Sequence, residues 1–204
     1  MKDTDERSRP RIDGEREGEI LDATVRLLIE VGYDRLTMDA VAAAARAGKA
    51  TLYRRWSTKA DLVVDAVSRS ECLPSAEAAD TGSLRTDLLA LACGVGGLTD
   101  RVPMNVLASL VTAMHREPEL AEAFHRLFMA PRLARARTVL ERAAARGELA
   151  EGCDVELLTQ VLPSMATHRM FLLAQPVDPD FVERVVDEIV LPACRAETDP
   201  ERSG

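Results

Sequence analysis

The chain has 204 residues, enough for one large domain or two small ones, and 29% of them are charged. It has no run of the roughly 18 apolar residues that a membrane span needs, and its first residues are charged, so we expect no membrane segment, no signal peptide and a cytoplasmic protein. Its four cysteines are scattered with no C-x-x-C spacing, so we expect reduced, mostly buried thiols rather than a zinc site. We expect no other metal and no cofactor.

Charge is distributed unevenly along the chain. Residues 1–70 carry 13 basic and 13 acidic side chains, so the whole net charge of -8 lies in residues 71–204. Between Asp39 and Asp61 there is no acid, and five basic residues fall there: Arg46, Lys49, Arg54, Arg55 and Lys59. A basic run alone usually marks a solvated helix face, but in an acidic protein this patch also suits a small DNA-reading surface.

The first elements follow from helical periodicity and capping residues. Residues 1–14 are polar and charged and predict a disordered arm. Apolar residues at helical spacing predict a first helix from about Glu15 to Val31, with Gly32 as its C-terminal stop. Thr37 is a suitable N-cap for a short second helix that continues to about Ala45.

Seven further helices are predicted along the rest of the chain. The third runs from about Lys49 to Trp56, and Thr58 with Asp61 predicts a capping box for a fourth that ends near Ser70. The glycines at 94–97 predict a helix end rather than a phosphate loop, because no strand precedes them and no Lys-Ser/Thr follows. The last five helices are predicted at about 83–95, 103–116, 119–146, 155–174 and 179–195.

This pattern predicts an all-α fold of about nine helices in two domains. Residues 15–70 would form a three-helix DNA-binding domain with a helix-turn-helix, and residues 71–204 a helical ligand-binding and dimerisation domain. In a helix-turn-helix the third helix enters the major groove and must be short, rigidly packed and basic outside. Leu52 and Trp56 lie four residues apart and can anchor it to the first helix.

Three segments carry a resemblance to a known family. Leu36-Thr37-Met38-Asp39-Ala40-Val41-Ala42, then Gly48-Lys49-Ala50-Thr51-Leu52-Tyr53-Arg54-Arg55-Trp56, then Lys59-Ala60-Asp61-Leu62-Val63 resemble the DNA-binding domain of the TetR (tetracycline repressor-like) family. The resemblance covers about residues 16–70. It implies a homodimer that binds double-stranded DNA at a palindromic operator and is usually released by a small molecule.

The resemblance also implies roles for individual residues. Thr37 and Tyr53 match phosphate contacts, as does Lys59, whose place at a helix N-terminus favours anions on physical grounds too. The positions that match contacts to bases or nearby backbone are Lys49, Ala50, Thr51 and Arg54. One departure stands out. Arg46 occupies a turn position where the family usually has glycine, and a left-handed conformation there costs arginine about 1 kcal/mol more.

The last two predicted helices carry broad apolar stripes. These are Leu158, Val161, Leu162, Met165 and Leu172 on one, and Phe181, Val185, Ile189 and Val190 on the other. Packed against their symmetry mates they would form a four-helix bundle, so we predict dimerisation through about residues 155–195. The alternative is that both stripes only cover the core of their own chain.

A ligand site is predicted from methionines and phenylalanines between the C-terminal helices. The candidate residues are Met104, Leu107, Met114, Phe124, Phe128 and Met165, with His168 and Arg169 as a polar anchor. They predict a mainly apolar small-molecule effector, although methionine at helical spacing is more often core.

The function predicted is a ligand-responsive transcriptional repressor. One alternative is a DNA-binding regulator without a small-molecule effector. Another is a helical enzyme or carrier that uses the C-terminal pocket. No catalytic constellation emerges from the sequence, so we expect the protein not to be an enzyme.

Overall fold

The computed structural model describes residues 9–68, 80–92 and 102–195, and within these ranges it contains helices and no strands. The α-helices are α1 Arg9–Arg35, α2 Met38–Ala44, α3 Lys49–Arg55, α4 Lys59–Ser68, α5 Leu84–Ala92, α6 Met104–Met114, α7 Pro118–Phe124, α8 Ala130–Ala145, α9 Val155–Thr167, α10 Pro179–Val185 and α11 Leu191–Arg195. π-Helical turns at His125–Met129, His168–Leu172 and Val186–Val190 continue α7 into α8, extend α9 and join α10 to α11. The described chain therefore holds nine continuous helical segments, which confirms the predicted fold class.

α1 differs from its prediction at its N-terminal end. It begins at Arg9 rather than at about Glu15, so residues 9–14 are helical instead of irregular. Pro10 is compatible with this start, since the first helical turn has no use for its missing N–H. Gly32 interrupts the helix with φ 75° and ψ 169°, as its predicted role as a stop requires.

Some predictions fall outside the described residues. They concern the first part of the arm, most of the boundary near residues 71–83, and the glycines at 94–97. The compact units of the structure are not contiguous in sequence. Among the described residues, 9–68 group with Asn105–Phe128, and 80–92 group with residues 102–104 and 129–195. A single division near residue 70 stays a prediction.

The π-helical turns were not predicted, and two of them have a visible cause. Pro131 and Pro192 each stand two residues after a π-helical turn. A proline ring clashes with the carbonyl four residues earlier and cannot donate to it. Widening the preceding turn relieves that clash while the helix continues.

The first unit is built around α4. Leu62, Val63 and Ala60 are fully buried, and α4 packs against both α1 and α7. Inside α1, the buried Thr24 hydroxyl donates to the Ile20 carbonyl at 2.8 Å. Two exposed arginines of residues 105–128 pair with this helical core: Arg116 lies 3.3 Å from Asp34, and Arg126 lies 2.5 Å from Asp61.

The second unit has its own apolar core and a buried carboxylate. Leu84, Val139, Leu140, Ala143, Val185 and Cys194 are among its most buried members. Asp87, whose side chain is inaccessible to solvent, accepts from the Thr81 backbone N–H at 2.7 Å, the Thr81 hydroxyl at 2.6 Å and Arg146 at 3.2 Å. Burial alone would raise the pKa of Asp87, but these hydrogen bonds outweigh it and hold the pKa below its usual value.

No helix within the described residues combines the length and the apolar character that crossing a membrane would require.

Candidate nucleic-acid interface and internal cavity

The turn between α2 and α3 is a Schellman motif with arginine at its left-handed position. Arg46 has φ 52°, its N–H donates to the Ala43 carbonyl at 3.1 Å, and the Ala47 N–H donates to the Ala42 carbonyl at 2.8 Å. The Arg16 guanidinium donates to the Arg46 carbonyl. The turn required by a helix-turn-helix therefore forms without glycine, at the backbone cost expected from the sequence.

α3 is held in place from its inner face. Leu52 is fully buried, and Trp56 is 4% exposed just after the helix ends. The Trp56 indole N–H donates to the Asp65 carboxylate of α4 at 2.7 Å. Both side chains are buried, as anchoring residues must be, and the polar link from Trp56 runs to α4; their predicted anchoring to the first helix stays a prediction.

The opposite face of α3 is open to solvent. Ala50 and Arg54 are exposed, Tyr53 is 53% exposed, and Thr51 is half-buried. Lys49, also exposed, pairs with Asp39 of α2 at 2.6 Å. The hydrogen bond and charge of Asp39 raise the pKa of Lys49, so this lysine is protonated at neutral pH.

Intramolecular contacts engage three of the five cations in the basic patch. Besides Lys49, Arg55 forms two 3.2 Å hydrogen bonds to Glu17, and these raise its pKa. Lys59 is half-buried, donates to the Tyr33 carbonyl at 3.2 Å and lies 4.0 Å above the Tyr33 ring. In the part of the chain that the structure describes, Arg46 and Arg54 are exposed without an ion-pair partner.

Two threonines begin helices as predicted. The Thr37 hydroxyl oxygen accepts the Ala40 N–H at 3.1 Å at the start of α2, and that of Thr58 accepts the Asp61 N–H at 3.0 Å at the start of α4. Thr37 is exposed, and its hydroxyl hydrogen remains available to an acceptor outside the chain.

The apolar stripes of the last helices are divided between core and surface. Leu158, Val185 and Val190 are buried within their own chain, which agrees with the alternative interpretation that these residues cover the core of a single subunit. Other large apolar side chains on the same segments face solvent: Leu157 at 60%, Leu172 at 75%, Leu173 at 51% and Ile189 at 40%.

The second unit contains a partly open cavity of about 100 Å³. Its walls come from α5, α8, α9 and the π-helical turn before α11, and they are mainly apolar. The exceptions are Thr159 and the two arginines Arg132 and Arg135. Burial, reinforced by the charge of Arg135, lowers the pKa of Arg132 to about 10.

None of the eight residues predicted to bind a ligand lines this cavity. Leu107 and Phe128 are buried, Phe124 stacks on Phe128 at 4.8 Å, and Met114 is half-buried, all in the first unit.

In the second unit, Met104 and Met165 pack against the core. His168 is exposed, and Arg169 donates to the Pro176 carbonyl at 2.6 Å, pairs with Asp178 and covers the Phe181 ring. Met104 and Met165 thus fill gaps beside the core, as methionine often does, and ligand binding by the eight residues stays a prediction.

The sequence analysis missed Arg132 and Arg135, although a signal for them exists. They stand three residues apart on a helix, so they share a face with Leu133, Ala136 and Leu140. Charged residues inside an apolar stripe mark a site that packing alone does not explain. As for metals, the described residues hold no group of three or more His, Cys, Asp or Glu side chains placed to bind one.

Comparison with known proteins agrees with this architecture. Residues 20–66 match the model for bacterial regulatory proteins of the tetR family, and residues 78–189 match the tetracyclin repressor-like C-terminal domain. The chain is 37% identical over 180 residues to the DNA-binding transcriptional repressor TetR of Mycobacteroides abscessus, covering 88% of this chain and 94% of that protein.

Two further likenesses extend over most of the chain. It is 31% identical over 182 residues to the uncharacterized HTH-type transcriptional regulator YdeS of Bacillus subtilis, covering 88% of this chain and 90% of that one. The chain also resembles the crystal structure of the TetR family transcription regulator SCO0332, with 32% sequence identity and a TM-score of 0.63. The match covers 86% of this chain and 97% of that one. The chain therefore belongs to the TetR family, and it is a DNA-binding transcriptional repressor with an N-terminal helix-turn-helix.

Proposed function

We propose that this repressor binds a palindromic operator as a homodimer, with α3 of each subunit in the major groove, and that a small molecule releases it. The observation that carries the proposal is the two-sided character of α3. Leu52 and Trp56 fix its inner side, while Tyr53 and Arg54 stand on an open outer side. Rigid support on one side and free polar groups on the other are what reading of base edges requires.

Different residues of this surface take different roles in the proposal. Thr37, Tyr53 and Lys59 contact phosphates, which position the protein on the duplex. Lys59 uses one donor on the Tyr33 carbonyl, and an ammonium has two more to offer. Base edges and the adjacent backbone are contacted by Lys49, Ala50, Thr51 and Arg54.

Dimerisation is assigned to residues 155–195. Members of this family act as dimers. Leu157, Leu172 and Ile189 are exposed in the single chain, so a second subunit could cover them in the dimer. Covering exposed leucines removes apolar surface from water at about 25 cal/mol per Å². A two-fold axis relates the two copies of α3 in the dimer, so the operator that they read should have two-fold symmetry as well.

The DNA proposal is tested by selecting bound duplexes from a random pool with the full-length protein. The expected product is a two-fold motif whose half-sites are centred about 34 Å apart, or a multiple of that. Arg54→Ala should change the selected bases or weaken binding more than tenfold, about 1.4 kcal/mol. Arg137→Ala, which removes an exposed arginine from α8, is the matched control and should leave the motif unchanged.

Light scattering on the same preparation tests the dimer. A monomer, together with a selected motif that lacks two-fold symmetry, would refute the homodimer. Leu172→Glu places a charge in the proposed interface and should produce monomers with weakened operator binding, whereas Leu172→Ala should remain closer to wild type.

Release by a small molecule is the third part of the proposal, and such responsiveness is typical of the family. The ligand must favour the conformation with the wrong spacing of the two α3 helices, because equal binding to both states shifts nothing. Coupling of about 1–3 kcal/mol is expected, and DNA should weaken ligand binding by the same factor. If no compound that binds the protein releases operator, a regulator without an effector is the better description.

A further inference from the structure

We infer that the cavity of the second unit is a binding site for an amphipathic monocarboxylate, with the carboxylate on Arg132 and Arg135 and an apolar tail between α5, α9 and the turn before α11. This inference deepens the proposed function, because it names the chemical class of ligand. The residues that line the cavity do not include any of the eight predicted from the sequence to bind a ligand.

The walls of the cavity indicate that the main part of the ligand is apolar. Eleven of its fourteen lining residues are apolar, including Leu88, Leu91, Leu158, Leu162 and Val190. These side chains come from four separate helical segments and offer no directional polar contact. A small polar metabolite would lose its hydration there without compensation, whereas an alkyl or alicyclic group gains from burial.

The two arginines indicate that the polar group of the ligand is an anion. They lie three residues apart on α8, where side chains are neighbours on one helix face, and like charges at that spacing repel. No Asp or Glu is found among the residues lining the described cavity. Burial lowers the pKa of Arg132 to about 10, which still leaves it protonated near neutral pH. An anion between the two guanidinium groups would offset their mutual repulsion and could accept charge-assisted hydrogen bonds from both.

The small volume and the apolar lining of the site favour a carboxylate over a phosphate. A guanidinium presents a planar fork that matches a carboxylate with two parallel hydrogen bonds. Removing a doubly charged phosphate from water costs more, and two arginines in an apolar wall would compensate it poorly. The cavity volume of about 100 Å³ is below the roughly 300–1,000 Å³ of drug-sized pockets. A ligand with a tail of several carbons must therefore widen the site, and that difference between states is what an effector needs.

The test is calorimetric titration of the full-length protein with octanoate, and separately with 1-octanol and octylammonium. Octanoate should bind at least about tenfold more tightly than 1-octanol, since a charge-assisted hydrogen bond is worth about 1.5–3 kcal/mol and tenfold is about 1.4. Octylammonium should not bind measurably. Equal affinities for octanoate and 1-octanol would overturn the assignment of the head.

Variants locate the site. Arg132→Gln and Arg135→Gln should each weaken octanoate binding at least about tenfold while 1-octanol binding changes less than about twofold. Arg137→Gln removes a charge from the same helix outside the cavity and should change octanoate binding less than about twofold. Thermal melts show whether each variant is folded. If the Arg132→Gln and Arg135→Gln variants are both folded and bind octanoate as tightly as wild type, the proposed location of the binding site is contradicted.

Operator binding separates this inference from the proposed function. Octanoate that binds through Arg132 but leaves the operator complex intact supports the site and contradicts release by a ligand at this cavity. Release of operator by octanoate in wild type, lost in Arg132→Gln and kept in Arg137→Gln, supports both.

Discussion

The two compact units use opposite arrangements of charge and packing. In the first unit apolar residues are fully packed beneath α3, and the polar groups proposed to act stand outside on an open face. In the second unit the charged pair Arg132 and Arg135 lies against an incompletely filled apolar interior. A surface that binds specific DNA bases needs tightly packed residues beneath it to fix its side chains. A site that responds to a ligand needs loosely packed walls that can move when the ligand binds.

Leucine-to-alanine substitutions in the two units should measure this difference in packing, and they should give the largest changes in the free energy of unfolding. Leu52→Ala removes a fully buried side chain beneath α3 and should lower the free energy of unfolding by about 3 kcal/mol. Leu162→Ala removes a half-buried side chain beside the cavity and should cost about 1 kcal/mol, because it makes less close contact to begin with. Urea unfolding of both variants provides the comparison, and equal losses would show that the cavity wall is as tightly packed as the DNA-binding unit.

The buried carboxylate of the second unit should give the next largest effect. Asp87→Asn weakens hydrogen bonds to Thr81 and Arg146 and should cost about 2 kcal/mol at pH 7. Because the pKa of Asp87 is lowered in the folded chain, its carboxylate stabilises the fold above its unfolded pKa of about 4. That contribution is lost as the pH falls through the folded pKa, so the two proteins should converge in unfolding experiments below about pH 4.

Asp187→Asn is the control for that substitution. Asp187 is an exposed carboxylate of the same unit paired with Arg85, and exposed ion pairs contribute little. Its loss at pH 7 should be far smaller. A gap between wild type and Asp87→Asn that stays constant down to pH 3 would contradict the role of the charge.

The turn before α3 should show a smaller effect of opposite sign. Arg46→Gly removes the left-handed strain and should raise the free energy of unfolding by up to about 1 kcal/mol, reduced by the greater freedom of glycine in the unfolded chain. Arg46→Ala loses the same charge and keeps the strain, so the difference between the two isolates the backbone. Both should lower the slope of operator affinity against salt by up to about one unit if Arg46 meets a phosphate. Greater stability of the alanine variant would contradict the backbone argument.

The smallest expected effect concerns a pair on the DNA-binding surface. Asp39→Asn releases Lys49 from its 2.6 Å ion pair and removes an acid beside α3. Operator affinity measured by fluorescence polarisation should rise about threefold at low salt and less at high salt. Glu17→Gln, which releases Arg55 instead, is the comparison. A fall in affinity with Asp39→Asn would mean that the pair positions Lys49 rather than competing with DNA for it.

Local features were predictable because their physical causes lie within a few residues. The N-caps Thr37 and Thr58 act on the N–H three residues later, and Gly32 and Arg46 occupy turns set by neighbouring backbone. Leu52 and Trp56 follow from helical period alone. The sequence by itself therefore determined the all-α fold, the helix-turn-helix and the family.

Only the tertiary structure decided which distant groups meet. The pair Arg55–Glu17 joins residues 38 positions apart, and Arg146 reaches Asp87 across 59 positions. The walls of the cavity come from four helical segments, so no contiguous sequence pattern predicts it. The sequence likewise does not show that Met104 and Met165 pack against the core of the second unit. Helical periodicity states which side of a helix is apolar, but the partner of that side, and any space left between the two, depend on how all the helices pack together.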